Sequence, residues 1–472
     1  MVSSATHDSR SVTSGSLFVC MRGASFDGHD FAEQAVADGA VALLVDHALD
    51  GVAAAQLVVD DTRIAAGVAA SATFGYPSRS LTTIGITGTN GKTTTAQLVA
   101  AIFEGAGRST GVVGTLHGPR TTPEAPELQA VLAGFVAARR VAAVMEVSSH
   151  ALHLHRVDGT AFDVVAFTNL GRDHLDLHGT QEAYFRAKAR LFQRVFAPIA
   201  VINVDDPHGR VLADAVAARD GDTDAMSVIS VSIDDVTEVD VEASRHRYRW
   251  RGLDVRVPIG GMVNVANSVM ALSIATAAGV SEPDAVEAIA SFSPIPGRFE
   301  SVGRSSRNDQ DDQPAPAVVV DYAHTPDGLE TLLESSRRLV SGAGRVIVVF
   351  GCGGERDREK RPQMGAVAAR VADVVVVTSD NPRREPPSAI IDDILDGVDD
   401  RYRARVSSEP DRRRAISQAI SQATDADIVV IAGKGHETTQ DLGDSIIDFD
   451  DRAVARAVLD ARTASSPAED HT

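Results

Sequence analysis

The 472-residue chain is 44% hydrophobic and carries a formal net charge of −20. That length gives a prior of about three domains, the apolar content is enough for sizeable cores, and the acidic balance argues against a nucleic-acid partner. Two cysteines, Cys20 and Cys352, argue against a disulfide framework and a metal cluster. With no charged and apolar leader and no apolar run of about 18 residues, the chain reads as soluble and cytoplasmic, with no membrane partner.

Residues 1–79 read as a small α/β unit. Asp8-Ser9-Arg10 leads to a turn at Ser14-Gly15 and a strand, Leu17-Phe18-Val19. A helix is expected from Phe31 to Ala40 and a strand from Val41 to Val45. Ser9 and Arg10 read as turn formers on residue type alone. The chain begins so close to this turn that a first strand is expected to be missing.

Residues 80–297 read as a second unit that opens on TIGITGTNGKTTT, Thr83 to Thr95. Ile84 and Ile86 alternate as in a short buried strand. The turn Gly88-Thr89-Asn90-Gly91 follows, then Lys92, Thr93 and Thr94, and a helix with Leu98, Val99, Ile102 and Phe103 on one face. Gly105 is placed to end that helix. Strand, Gly-rich turn, Lys-Thr and helix make a phosphate cradle: backbone N–H groups hold phosphate oxygens, Lys92 reaches the terminal phosphates, and the Thr93 hydroxyl can ligate Mg²⁺. The glycines are spaced G-x-x-G-K-T, because Ile86 occupies the place of the first glycine of the longer G-x-x-x-x-G-K-T pattern.

The same theme recurs: apolar runs readable as buried parallel strands end in polar segments. Val141–Met145 ends at Glu146, Phe162–Phe167 at Thr168-Asn169-Leu170-Gly171-Arg172-Asp173-His174, and Ile199–Ile202 at Asn203. Doubly wound sheets bind ligands at the carboxyl ends of their strands. A carboxylate there is costly to bury unless paired or metal-bound, which makes Glu146 a Mg²⁺ candidate. His174 reads equally as ligand or loop histidine. Tyr184 to Phe192 reads as a helix in which a lone Lys188 is ordinarily solvated. Asn264 and Asn267 open a further helix.

Residues 298–472 form a third unit after Pro294–Arg298. The stretch 304–316 reads as a mobile surface loop and an insertion, and the tail beyond Thr463 as disordered. Val318–Val320, Val346–Phe350, Val374–Val377 and Ile428–Ile431 each end in a segment rich in glycine and charge. Arg356 and Arg383 suit a carboxylate, and Asp380 and Glu437 suit an ammonium. ATP on one side and an amino acid on the other point to carboxylate activation followed by amide formation.

GTNGKTTT, MEVSSHAL, TNLGRDHLDLHG, YFRAKARLF, PGRFE, DYAHTPDGLE, FGCGGERDREKRPQMG, DNPRREPP and AGKGHE resemble the Mur ligases, most of all the MurE type, from Asp8 to about Asp451 and in the family's order. The resemblance implies a UDP-binding unit, a central ATPase unit with a mostly parallel sheet and a C-terminal Rossmann-like unit, acting as a monomer. It implies joining of an amino acid to UDP-MurNAc-L-Ala-D-Glu with ATP and Mg²⁺: the D-Glu carboxylate attacks the γ-phosphate, and the incoming amine then displaces phosphate from the acyl phosphate. By the same resemblance, Gly88 to Thr94 hold ATP phosphates; Thr93, Glu146, His174 and Lys188 (as a carbamylated lysine) serve Mg²⁺; Asn264, Arg298 and Asp321 contact ATP. Ser9, Thr121, Thr122, Ser148 and Arg156 match positions for the UDP substrate. Arg356, Asp380, Asn381, Pro382, Arg383, Gly433 and Glu437 match the amino-acid site. The arginine of DNPR marks family members that use meso-diaminopimelate, so Arg383 favours that substrate. Leu154 and Pro386 depart from residues common in the family. An L-lysine-adding ligase on the same scaffold, or a non-catalytic nucleotide-binding module, are the alternative readings.

Overall fold

The computed structural model describes residues 2–23, 25–218, 225–303 and 315–465. The loop expected over 304–316 lies outside the described residues up to 314, and so does the tail from 466. Four parallel strands, Ser4–Thr6, Ser16–Val19, Ala40–Val45 and Ala55–Val58, form a first sheet in sequence order. Ser4–Thr6 is a first strand where none was expected. The helix expected to reach Ala40 spans only Ala32–Ala37, because Gly39 turns at φ +116° and Ala40 already begins the next strand. A side chain at Gly39 would stand 2.9 Å from the Ser14 backbone.

The second sheet is wholly parallel. Its order is Ser227–Val231, Ile199–Asn203, Val164–Phe167, Thr82–Thr87, Ala142–Glu146, Thr110–Val113. Strands covered on both faces read as continuous apolar runs, which is why these segments were legible. The strand order reverses at Thr82–Thr87, so the Gly-rich turn leaves the sheet at its topological switch point. The helix Lys92–Gly105 follows. It ends where expected, but Gly107, at φ +75°, takes the left-handed position beyond the cap. Gly105 is instead the last helical residue, and it is small because a side chain there would meet the Ala288 methyl at 2.5 Å. Asn264 and Asn267 likewise fall within a helix, Met262–Ala277, not at its cap.

Three antiparallel strands, Val236–Val241, His246–Trp250 and Leu253–Val257, were not read from the sequence. Their signal was present: Tyr248, Trp250, Val255 and Val257 are buried in alternation with arginines. The two-residue turn Arg251-Gly252 has both φ positive, at +50° and +82°.

The last sheet runs Glu300–Val302, Ala317–Asp321, Ile428–Ala432, Val346–Phe350, Val374–Val377, Val406–Ser408, parallel except for the first strand. Thr325 caps the helix Pro326–Arg337 with Pro in its first turn, as expected. By compactness the chain divides into two units. One comprises the chain up to Leu170 with Leu177–Ile233 and Asn267–Ile289; the other comprises Gly171–Asp176, Asp234–Ala266 and the chain from Ala290. Within the described residues no helix is long and apolar enough to cross a membrane.

A buried ion pair fastens the last sheet to the helix Asp451–Ser465. Arg412 and Asp451 are both 0% exposed, 2.7 Å apart, and Arg412 also donates to Ala432 O and Ser379 O. Arg412→Met should cost about 3–5 kcal/mol by stranding the Asp451 charge; a melting temperature unchanged from wild type would contradict this, and Arg412→Met with Asp451→Leu should cost less than the single change. In the antiparallel sheet, His246 is buried and has its Nδ1 2.6 Å from Ile259 O; burial pushes its pKa down to about 4. The unfolded chain therefore takes this proton first as pH falls. The stability held above about 6.5 is lost towards pH 4, about 3 kcal/mol in all. His246→Gln should make the fall in melting temperature between pH 6.5 and 4 shallower; identical slopes would rule this out.

Candidate active site

The phosphate loop is shaped by what packs behind it. Gly88 stands at φ +150° and Gly91 at φ +82°. A side chain on Gly88 would lie 1.9 Å from Thr168 Oγ1, and one on Gly91 2.5 Å from Asn267 Oδ1. Thr168 Oγ1 donates to Asn90 O at 2.6 Å, Asn90 N donates to Asn169 Oδ1 at 2.9 Å, and Thr89 N donates to Asn169 O at 2.9 Å. The TNLG segment thus braces the loop from the neighbouring strand. Lys92 Nζ curls onto the loop and donates to Gly88 O at 2.9 Å and Thr89 O at 2.8 Å. No acidic residue sits in the first turn of the helix that follows, leaving its N-terminus suited to an anion.

Lys188 is the largest departure from residue-type expectation. It is 1% exposed, not solvated, and its Nζ donates to the same Gly88 O at 2.8 Å. The ammonium also lies 4.4 Å from the centre of the Tyr184 ring, whose hydroxyl is 3.1 Å from Thr89 Oγ1. Two lysine ammonium groups therefore converge on one carbonyl oxygen.

Glu146, at the end of its strand, is 2% exposed. Its Oε2 accepts from Thr93 Oγ1 at 2.8 Å and Thr115 Oγ1 at 3.3 Å, and its Oε1 accepts from Thr115 N at 2.8 Å. Among the described residues these partners are all neutral. A buried carboxylate so placed beside a threonine of a phosphate loop fits a divalent cation. Gly114 is small for this reason, since a side chain there would lie 2.3 Å from Glu146 Oε1. Sequence reasoning missed Thr115 and Gly114, which lie just past the strand Thr110–Val113.

Around Glu146 the expected substrate residues gather. Thr121 Oγ1 is 3.1 Å from Thr115 Oγ1, and Thr122 Oγ1 donates to Glu146 O at 2.8 Å while accepting from Ser148 N at 3.1 Å. Arg156 donates to Thr122 O at 3.2 Å and pairs with Glu124 at 2.7 Å; Glu124 also pairs with Arg63. Ser9 stands apart in a short turn capped by Asp8, whose carboxyl the Arg10 guanidinium holds down at about 2. A cluster of His29, Asp46 and His47 brings three ligand-type atoms within 4.8 Å. Its donors are engaged, because Arg22 holds Asp46 at 2.9 Å and His29 Nε2 accepts the Asp46 N–H.

In the other unit, His174 sits at φ +54° with its Nε2 3.3 Å from Asp173. Asn264 donates to Gly260 O at 2.7 Å. Asp321 closes a strand and accepts from Phe299 N and Ala323 N, each at 2.7 Å; burial raises its pKa against the pull of Arg298. Arg298 lies 4.2 Å over the Tyr322 ring, and Tyr322 packs on His324 and His436. Gly297 meets Gly435 here, and a side chain on Gly297 would lie 2.0 Å from the Gly435 backbone. PGRFE, DYAH and GKGHE are therefore one surface.

The remaining expected residues line the carboxyl edge of the same sheet. Asp380 is buried, which raises its pKa, while Arg412 and Lys434 pull it down. Asn381 Nδ2 donates to Glu437 Oε2 at 2.8 Å. Lys434, which the sequence reading quoted but did not assign, is fully buried and donates to Asn381 Oδ1, Glu437 Oε2 and Thr439 O at 3.0, 3.1 and 2.7 Å. The two carboxylates read as ammonium ligands thus already face an internal ammonium, 4.0 Å from Asp380. A side chain on Gly433, which stands at φ +109°, would lie 2.7 Å from Asp380 Oδ2. Arg356 is exposed; Arg383 is half-buried at φ +51°, with Nη1 donating to Gly354 O at 2.7 Å. Pro382 O would lie 1.9 Å from any side chain on Gly354, so the DNPR turn rests directly on the glycines of GCGGE.

Residues 2–73, 86–275 and 297–435 match the Mur ligase family catalytic domain, the Mur ligase middle domain and the Mur ligase glutamate ligase domain in turn. A Syntrophomonas wolfei protein named UDP-N-acetylmuramoyl-L-alanyl-D-glutamate--2,6-diaminopimelate ligase is 42% identical, over 97% of this chain and 94% of its own. A Geobacillus thermodenitrificans protein of the same name is 43% identical over 96% and 94%. A solved structure of a protein of that name gives a TM-score of 0.68 at 34% identity, covering 98% of this chain and 95% of that one. The MurF ligase of Thermotoga maritima, solved with ADP, shares the fold at a TM-score of 0.63 and 19% identity, covering 97% of this chain and 98% of that one. With family matches over most of its length and relatives more than 40% identical across nearly all of it, the chain belongs to the Mur ligase family.

Proposed function

We propose that this protein is an ATP-dependent ligase that adds meso-diaminopimelate to UDP-MurNAc-L-Ala-D-Glu in the cytoplasm, during peptidoglycan precursor synthesis. The observation that carries this reading is the bond from Thr93 of the phosphate loop to the buried Glu146, at the end of the strand beside the switch point of the parallel sheet. Ser9 and the other residues of 1–79 serve the uridine end, 80–297 the ATP, and 298–472 the amino acid. Gly88, Thr89, Asn90, Gly91, Lys92, Thr93 and Thr94 hold the phosphates, with Asn264, Arg298 and Asp321 assigned to the rest of the nucleotide. Thr121, Thr122, Ser148 and Arg156 hold the UDP substrate beside Glu146.

Thr93, Glu146, His174 and Lys188 would hold Mg²⁺, which when bound supplies positive charge against the phosphates. Lys188 would do so as a carbamate. Its burial beside Lys92 supports this, because carbamylation replaces one of two converging positive charges with a negative one. Lys92 neutralises charge on the transferring phosphoryl group as the D-Glu carboxylate attacks it. Its amine donates to loop carbonyls and is freed to reach phosphate when nucleotide enters. Arg383 supports the choice of meso-diaminopimelate: a half-buried guanidinium suits a second carboxylate, which L-lysine lacks.

Phosphate release from ATP should occur with UDP-MurNAc-L-Ala-D-Glu and meso-diaminopimelate, and not with L-lysine or D-Ala-D-Ala in its place. Turnover with L-lysine alone would reverse the amino-acid assignment, and turnover with neither would defeat the ligase reading. Lys92→Ala should lower kcat by about 100-fold or more; a variant as active as wild type would remove Lys92 from the chemistry. Arg383→Ala should raise KM for meso-diaminopimelate roughly 10- to 100-fold and leave KM for ATP unchanged. An equal loss for both ligands would count against its role.

A further inference from the structure

Two turns carry the arginines assigned to the amino acid, Gly351–Asp357 and Ser379–Glu385. Each contains a residue other than glycine in the left-handed region, Glu355 at φ +53° and Arg383 at φ +51°. Such conformations persist only where neighbouring structure enforces them. Here the neighbours are specific. Gly354 N donates to Asn381 O at 2.9 Å, and Arg383 Nη1 donates back to Gly354 O. Behind them Glu385 accepts the N–H of Glu355, so a carboxylate on one turn fixes the strained residue of the other.

That carboxylate is itself clamped. Arg361, 0% exposed in the helix Lys360–Val371, donates to both oxygens of Glu385 at 3.0 Å, to Asp393 at 2.7 Å and to Gly353 O at 3.3 Å. The fork matches the carboxylate bidentately, so it fixes orientation as well as distance. These guanidinium and backbone bonds hold the Glu385 pKa down at about 2. One buried arginine thus reaches both turns, through Gly353 on one and Glu385 on the other.

We propose that Arg361 and Glu385 are positioning residues that set the register of the two turns and thereby aim Arg383 and Arg356 at the distal carboxylate of the amino acid. The proposal rests on the reading of Arg383 given above. Selectivity for the amino acid then depends on residues outside the assigned amino-acid set.

The test uses the full chain with Glu385→Gln, which keeps the shape and removes the charge, and Arg361→Lys, which keeps the charge and removes the fork. Both should raise KM for meso-diaminopimelate roughly 10-fold or more. KM for ATP and for UDP-MurNAc-L-Ala-D-Glu should stay within about twofold, as should kcat at saturation. Amide hydrogen exchange, read without substrates, should quicken in 353–357 and 381–385 while Val346–Phe350 and Val374–Val377 keep their protection. A fall in kcat with every KM unchanged, or exchange quickened across the whole sheet, would mean a merely structural strut and overturn the proposal. Unaltered exchange in both turns would overturn it as well. A wild-type enzyme that rejects meso-diaminopimelate would instead defeat the substrate reading, and exchange alone would then decide whether the clamp sets the turns.

Discussion

Glu146 is the constraint around which the catalytic half is arranged. A carboxylate at 2% exposure, met only by hydroxyl and amide donors among the described residues, is expensive to keep charged in an apolar sheet. Its surroundings follow from that cost. Thr93 and Thr115 supply donors, Gly114 is stripped of a side chain so that the backbone can approach, and Thr122 grips the Glu146 carbonyl. Because Thr93 also opens the helix behind the phosphate loop, the carboxylate and the loop are held as one rigid piece.

The phosphate loop shows a related economy of space. Its two glycines are needed less for flexibility than for proximity: Thr168 lies against one and Asn267 against the other. The segment that follows the next strand thereby becomes the floor of the loop. Lys188 reaches the same floor from a separate helix and ends on Gly88 O beside Lys92. Two like charges, one of them fully buried, so close together are unfavourable in isolation, and an anion beside them would relieve that cost.

In the C-terminal sheet the logic is carried by charge pairs at strand ends. Arg412 with Asp451, Arg361 with Glu385 and Lys434 with Glu437 each set a buried or partly buried cation against a carboxylate. The first two tie together separate elements, and Lys434 does so through its further bond to Asn381. Such pairs add little net stability over apolar packing, but losing one member is costly. They hold an edge of turns in fixed register.

Much of this was legible in the residues alone. Continuous apolar runs marked the parallel strands because both faces of each are covered, and the Gly-rich turn followed by Lys-Thr marked the passage from strand to helix. The helix over Lys92–Gly105 and the Thr325 cap follow from local rules as well. Local rules failed where burial is set by a distant partner. Lys188 reads as solvated until Gly88, 100 residues away, accepts its hydrogen bond. Arg412 and Asp451 lie 39 residues apart, and Arg361 and Glu385 24 apart, so neither pair shares a turn of helix or a hairpin that spacing could reveal. The sequence by itself determined most of the parallel strands, the Gly-rich turn between strand and helix, and which family the pattern resembles. Tertiary structure alone decided the strand order, and with it which charges are buried together, because burial belongs to a residue's neighbours in space and not to its own chemistry.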